Sequence, residues 1–449
     1  MRPIYAIVSV PLLFGIGSLV ARALVAHPPA QLARVFALPL LVVNWFNGFG
    51  VAPALLLLAT IAVLGIILGV AFGPPRTFSI PYPRARTLIG AASALSLLAA
   101  FSWPFTFSSD TIAYAAYGLE ALRGLDPFTS SAQASHNAFT DAMRLINRRD
   151  VPLCVYGPVF VWFSEVVVTL TQGFPPALTI AVLRVAAIVT FLVSVLVFSK
   201  LTEPLAPARR IAVLALYALN PLAIWAVAEG HNDIFALIAA MVGVLLATRG
   251  RPLLGGLLIG LTPLVKLPFV IAVVPLSVYL WGRGRRREAV RVAAGGALGL
   301  AVWVVWFVPR LHNEAGNAVG SHNPSLSLVL TLVPVALAVA AIAFYAFREL
   351  LFGNVRAFVW LGAAAFLATF SSWPWYALWV LPLIAVPAGA IGMGLWASTL
   401  LVTYRYYFDA TFPTKIHLSQ VNSVAKMLPI AAAVGYGAWQ AARHRNRLP

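Results

Sequence analysis

The sequence predicts an all-α polytopic membrane protein, and three observations carry that expectation. Of its 449 residues, 61% are hydrophobic and only 10% charged, whereas soluble domains carry about a quarter charged residues. Apolar runs of about 15–22 residues recur from one end to the other with short polar breaks, the length a helix needs to cross a bilayer. The basic residues gather in short clusters between these runs: Arg76, Arg84 and Arg86; Lys200, Arg209 and Arg210; Arg249 and Arg251; Arg283, Arg285, Arg286 and Arg287; Arg443, Arg445 and Arg447. Such clusters mark cytoplasmic helix ends and attract anionic headgroups. The net charge of +18 therefore points to membrane lipids and not to nucleic acid. Alternating ten-residue strands are absent, which argues against an outer-membrane barrel. A single cysteine, Cys154, excludes an internal disulfide and a cysteine-based metal cluster.

Placing the basic clusters in the cytoplasm orders the segments. The first 26 residues read as a retained helix rather than a signal peptide, because many apolar segments follow. Segment 51–73 runs inward and 88–107 outward, which puts Asp110 at the outer surface. Residues 108–175 form a large outer loop of mixed polarity. Within it, 111–123 reads as an amphipathic interfacial helix, with Ile112, Ala115, Ala116, Leu119 and Leu122 near one face. Tyr114 and Tyr117 suit the water–lipid boundary, and Gly124 and Pro127 end the helix. Segment 158–172 lies along the interface or dips and returns, since only an odd number of crossings joins Asp110 outside to residues 200–210 inside. Segment 177–198 makes that crossing. Segment 211–227 goes out and 234–248 returns, with AEGHND (228–233) between them. Segments 253–265 and 268–281 pair tightly through the outer turn VKLP (265–268). Segment 289–309 goes out, residues 310–325 form an outer loop, and 326–347 returns. Segment 357–371 goes out to SSWPWY (371–376), and 377–390 returns. Segments 391–403 and 425–441 flank a loop at 404–424. The total is about 12–14 crossings in one domain spanning 1–449. Of the 13 acidic residues, all but Glu203, Glu288 and Glu349 fall on the outer side, and chemistry is expected there.

Asp110 has two readings, which do not exclude each other. It is a general base, its pKa raised toward the working range by desolvation, or it is the N-cap of the helix that follows. Glu229, His231, Asn232 and Asp233 stand together between two membrane helices. They either bind a polar substrate and support Asp110 or form a solvated turn; their spacing matches no standard zinc site. Lys266 lies in GLTPLVKLPFV, bracketed by Pro263 and Pro268. A buried lysine there needs an anion, for which a phosphate would serve; the other reading is a snorkelling lysine. Arg310, His312 and His322 form a weaker set in a loop. Trp373, Trp375 and Tyr376 are boundary anchors or sugar-stacking rings. Tyr156 and Pro158 resemble a turn entering an interfacial helix. No GxxxxGK[ST] loop occurs, so a nucleotide donor is not expected, whereas a lipid-carried phosphate donor suits an outer-face site.

Five stretches carry a resemblance: SSDTIAYAAYGLEALRGLDPF (108–128), YGPVFVWF (156–163), NPLAIWAVAEGHNDIFAL (220–237), RPLLGGLLIGLTPLVKLPFVIAVVPL (251–276) and SSWPWYALWVLPLIA (371–385). In this order they resemble the GT-C glycosyltransferases that use polyprenyl-phosphate sugars, and most of all the bacterial alpha-(1→6)-mannopyranosyltransferases. The resemblance implies a GT-C-like bundle in the inner (cytoplasmic) membrane with its site on the periplasmic or extracytoplasmic face. It implies Asp110 as catalytic base, Lys266 with Arg310 as ligands of the donor phosphate, and His231, Asn232, Asp233, Tyr114, Tyr156, Trp375 and Tyr376 as substrate-binding or orienting residues. Trp373 departs from the histidine found in several relatives. Ser109 stands where many superfamily members carry a second acid, which disfavours a divalent-cation site, and no cofactor is expected. The implied partners are a polyprenyl-phosphate sugar, a glycan or glycolipid acceptor, and membrane lipids. The contrasting readings are a transporter or lipid-carrier flippase, and a non-catalytic scaffold.

Overall fold

The computed structural model describes residues 3–24, 51–73, 78–103, 108–129, 136–147, 151–307, 326–368, 373–386, 389–403, 428 and 432. Among them every regular element is a helix. In chain order these are α1 (Pro3–Leu24), α2 (Val51–Phe72), α3 (Tyr82–Phe101), α4 (Asp110–Leu122), α5 (Ala138–Asn147), α6 (Pro158–Leu170), α7 (Pro176–Leu201), α8 (Pro207–Ala218), α9 (Pro221–Ala228), α10 (Asp233–Thr248), α11 (Pro252–Gly260), α12 (Val273–Gly282), α13 (Arg286–Phe307), α14 (Leu326–Leu351), α15 (Ala357–Ala368) and α16 (Gly389–Leu401). Short 3₁₀ turns cover Thr262–Leu264, Leu267–Ala272, Pro374–Trp379 and Leu381–Ala385.

Five of the described helices are long and apolar enough to cross a membrane: α1, α2 (from Ala54), α3, α7 and α13. The pair α8–α9 makes a sixth if taken as one span with its 41° bend. Large apolar side chains face outward on these helices, among them Leu19, Ile66, Leu98, Leu196 and Val305, each more than half exposed. That surface suits hydrocarbon and not water. The chain is therefore an all-α, multi-pass membrane protein.

Local chemistry explains where the elements break. The sequence reads 211–227 as one segment, but the helix stops at Asn220–Pro221. Pro221 brings no N–H, and the Asn220 side chain caps the new helix by accepting from Ala223 N at 2.9 Å. Residues 377–386, in a segment expected as a returning helix, form no α-helix. Pro374 and Pro382 each stand in the first two residues of a tight 3₁₀ turn instead. Helix α6 has 13 residues, about 20 Å of length, short of a bilayer core of about 30 Å.

Helix α4 departs further from its expected role. Its predicted apolar residues Ile112, Ala115 and Ala116 are buried, but so are Tyr114, Tyr117 and Glu120. The tyrosines expected at a lipid boundary lie in protein because α6 covers that side. At Gly118 the two helices touch so closely that an added Cβ would lie 2.5 Å from the Ser164 backbone. Trp103 ties the core near the same end. Its indole donates to Phe14 O at 3.0 Å and meets Trp225 edge-on, with ring centroids 5.0 Å apart. Helices α1, α3 and α9 are thereby locked beside the start of α4.

Candidate active site

Asp110 is the first residue of α4, not its cap. Ser109 holds the cap position, and the Asp110 amide donates to Ser108 Oγ at 3.2 Å. With no capping duty, the Asp110 carboxylate turns to His231, Oδ2 to Nδ1 at 3.4 Å, and stays 26% exposed. His231 itself is 1% exposed. Its Nε2 faces Glu229 Oε2 at 3.3 Å, and its ring stacks on Trp375 at 3.9 Å.

Burial pushes the Asp110 carboxyl up, but the nearby His231 and its charge, helped by Lys266 and Ser108, outweigh it. The net shift is below the ordinary carboxylate value, the reverse of the sequence expectation. A nearby cation won over desolvation. His231 moves the other way. Burial opposes its charge, yet the two carboxylates carry its pKa up to about 9.

Lys266 occupies an extended residue between two 3₁₀ turns. Pro263 and Pro268 prevent a continuous helix there. The anion that a buried lysine requires is supplied by the chain: Lys266 Nζ donates to Asp233 Oδ2 at 2.7 Å and to Asn232 Oδ1 at 3.2 Å. Trp379 Nε1 donates to the other Asp233 oxygen. The Asn232 oxygen also accepts from the Tyr114 hydroxyl at 3.3 Å. The ammonium lies over Tyr156 and Tyr376, 5.3 and 5.7 Å from their ring centroids. Tyr156 is held there by its neighbour, since Gly157 N donates to Val265 O at 3.0 Å.

One cluster thus gathers Asp110, Tyr114, Tyr156, His231, Asn232, Asp233, Lys266, Trp375 and Tyr376. Arg310, with His312 and His322, lies outside the described residues. Trp373 stacks on Trp375 at 5.0 Å, which extends the aromatic wall. Sequence reasoning missed three contributors. Arg184, 3% exposed, reaches from the middle of α7 to Ala228 O at 2.6 Å and Phe101 O at 3.0 Å. Thr111 Oγ1 donates to Glu229 O at 2.6 Å, and Trp379 holds Asp233. A lone arginine inside an apolar run was the available signal for Arg184; nothing in the sequence singled out Thr111 or Trp379. The His231 nitrogens point to carboxylates on opposite sides of the ring, so these three groups do not converge on one point as metal ligands do.

The chemistry available is proton acceptance at one accessible carboxylate, beside a buried cation and flat aromatic faces. The class this defines is a polytopic membrane enzyme. Residues 11–283, well over half of the chain, match the family model described as alpha-(1→6)-mannopyranosyltransferase, N-terminal domain. The chain belongs to that family, and it is a membrane glycosyltransferase of the mannosyltransferase kind. No curated protein and no solved structure matches it.

Proposed function

We propose that the chain transfers mannose from a polyprenyl-phosphate donor to a hydroxyl of a glycan or glycolipid at the outer face of the cytoplasmic membrane, inverting the anomeric centre. In this reading the whole chain is one GT-C-like catalytic domain. The observation that carries it is the convergence of Asp110, His231 and Lys266 on a single cluster, with only the Asp110 carboxylate substantially open among the three.

The acceptor oxygen attacks the anomeric carbon from the side opposite the phosphate. Its proton passes to Asp110, the bond from carbon to phosphate oxygen breaks, and that electron pair leaves with polyprenyl phosphate. A carboxylate held low in pKa is fully ionised at neutral pH and ready to accept, because the hydroxyl becomes acidic only as the new bond forms. Two of the three Lys266 N–H groups serve Asn232 and Asp233, and the third is left for the departing phosphate oxygen, whose charge grows in the transition state. Arg310 is the second cation assigned to that phosphate. Trp375 and Tyr376 give the sugar flat faces. No cofactor enters the scheme. The basic clusters support a cytoplasmic assignment of the other face, and in this reading the tail of the donor lies among apolar helices.

The test incubates purified protein with a panel of radiolabelled polyprenyl-phosphate sugars and a membrane glycan extract. Transfer from the mannose donor, lost in Asp110→Asn without loss of donor binding, is expected. Undiminished transfer by Asp110→Asn sinks the assignment of the base. Transport of the lipid without sugar transfer sinks the reaction.

A further inference from the structure

Glu229 is more closely held than a helix–helix turn requires. Its side chain is 2% exposed, and its carbonyl accepts from Thr111 Oγ1 at 2.6 Å, one residue beyond Asp110. Behind it, Arg184 bonds the carbonyls of Ala228 and Phe101, and its charge attracts the Glu229 carboxylate. Between Glu229 and His231 stands Gly230 at φ +91°, where an added Cβ would come within 2.9 Å of Thr111 Oγ1 and 3.0 Å of Arg184 Cγ. The turn is therefore fixed from α3, α4 and α7 at once. What this scaffold presents is one imidazole with a carboxylate near each nitrogen, Glu229 at 3.3 Å and Asp110 at 3.4 Å. Stacking on Trp375 holds the ring plane.

We infer that Glu229 is a positioning residue of the transferase: it fixes an imidazolium at His231, and through that ring it aims and keeps ionised the Asp110 carboxylate. An imidazolium is a donor at both nitrogens, so His231 is no acceptor for the substrate's proton and Asp110 keeps that role. The charged groups around the ring are Asp110 on α4, Glu229 on the same turn, Arg184 on α7 behind Glu229, and the Lys266–Asp233 pair beyond Asn232. Tyr114 is the titratable neighbour from α4. The inference rests on Asp110 being the base.

Mannosyl transfer by the full-length wild type, Asp110→Asn, Glu229→Gln and Glu229→Asp is followed as kcat and donor KM against pH. Transfer insensitive to Asp110→Asn defeats the base assignment before Glu229 is considered. Once that sensitivity is established, Glu229→Gln is expected to lower kcat about ten- to a hundredfold, the effect of a misaimed group, with donor KM unchanged. Its alkaline limb moves to lower pH, because an imidazolium that loses a neighbouring anion releases its proton more easily. Glu229→Asp keeps the charge and restores most of the limb position. A folded Glu229→Gln with wild-type kcat overturns the inference, as does reduced kcat with an unmoved limb. Failure of both variants to fold overturns it too, by assigning Glu229 to folding alone.

Discussion

Glu120 shows what a single buried carboxylate does when nothing pairs with it. It is 1% exposed and neither oxygen has a hydrogen-bond partner. Burial raises its pKa to about 7, although Arg123 pulls it down. A carboxyl whose folded value lies above its unfolded value contributes stability below the unfolded pKa and loses it as pH rises through the folded one. Stability is thus expected to fall between about pH 4.5 and 7, by up to roughly 3 kcal/mol, and the apparent melting temperature with it. Glu120→Gln should flatten that slope and melt higher than wild type at pH 8. A slope that survives the substitution removes Glu120 as its cause. The Lys266–Asp233 pair makes the opposite prediction. Either Lys266→Met or Asp233→Asn alone strands a buried charge, at about 3–5 kcal/mol. The double variant should melt above both single variants and still fail to use donor, which a thermal-shift cycle and a transfer assay would read. A double variant no more stable than the singles would mean the pair is not coupled. Asp110, His231 and Lys266 were legible because ionisable groups in so apolar a chain stand out. The direction of the Asp110 shift was not, since it depends on a histidine more than a hundred residues away that only the fold brings close. The partner of Lys266 was hidden for the same reason.

At the level of elements, the apolar runs and arginine clusters announced most helices, and the AEGHND turn fell between two helices as expected. VKLP does not join a tight pair at 253–265 and 268–281, because α11 ends at Gly260, α12 begins at Val273 and 3₁₀ turns fill the interval. What periodicity did not reveal was how helices approach one another. Helices α11 and α13 meet along glycines. An added Cβ at Gly256 would lie 2.1 Å from Val292 O, and one at Gly260 would lie 2.3 Å from Gly296 O. Small residues four apart let membrane helices pack at backbone distance, and here the contact supports the 3₁₀ turns that flank Lys266. Gly256→Leu should therefore cost about 1–3 kcal/mol by overpacking and lower donor use with it. Melting in detergent and donor KM measure the two effects. A stable, fully active Gly256→Leu would show that the seam does not position the lysine. The burial of α4 was equally illegible, because a helix with one apolar stripe looks interfacial until a second helix is known to cover its other side. The 3₁₀ turns at 374–385 escaped notice because an apolar run reads as a helix even where prolines withhold its hydrogen bonds.

Across the whole molecule, charge separation gives the proposed orientation its test. The chain carries +18; among its arginines, Arg283, Arg285 and Arg286 adjoin the end of α12 and start of α13, whereas Arg123 follows the C-terminus of α4. If the positive-inside bias governs insertion, Arg285 faces the cytoplasm and the loop bearing α4 faces out, where no nucleotide sugar is at hand. The single cysteine makes this accessible to labelling, because Cys154 is buried and Cys154→Ser removes it. In that background, Arg123→Cys and Arg285→Cys each place one thiol at an exposed position. A membrane-impermeant maleimide applied to intact spheroplasts should label the Arg123→Cys protein, and label the Arg285→Cys protein only after permeabilisation. The reverse pattern would put the Asp110 cluster in the cytoplasm, within reach of nucleotide sugars, and the lipid-linked donor would lose its physical rationale even if Asp110 remained the base. Labelling of both without permeabilisation would mean that the two positions share a face, and the alternation of crossings between α4 and α13 would have to be redrawn.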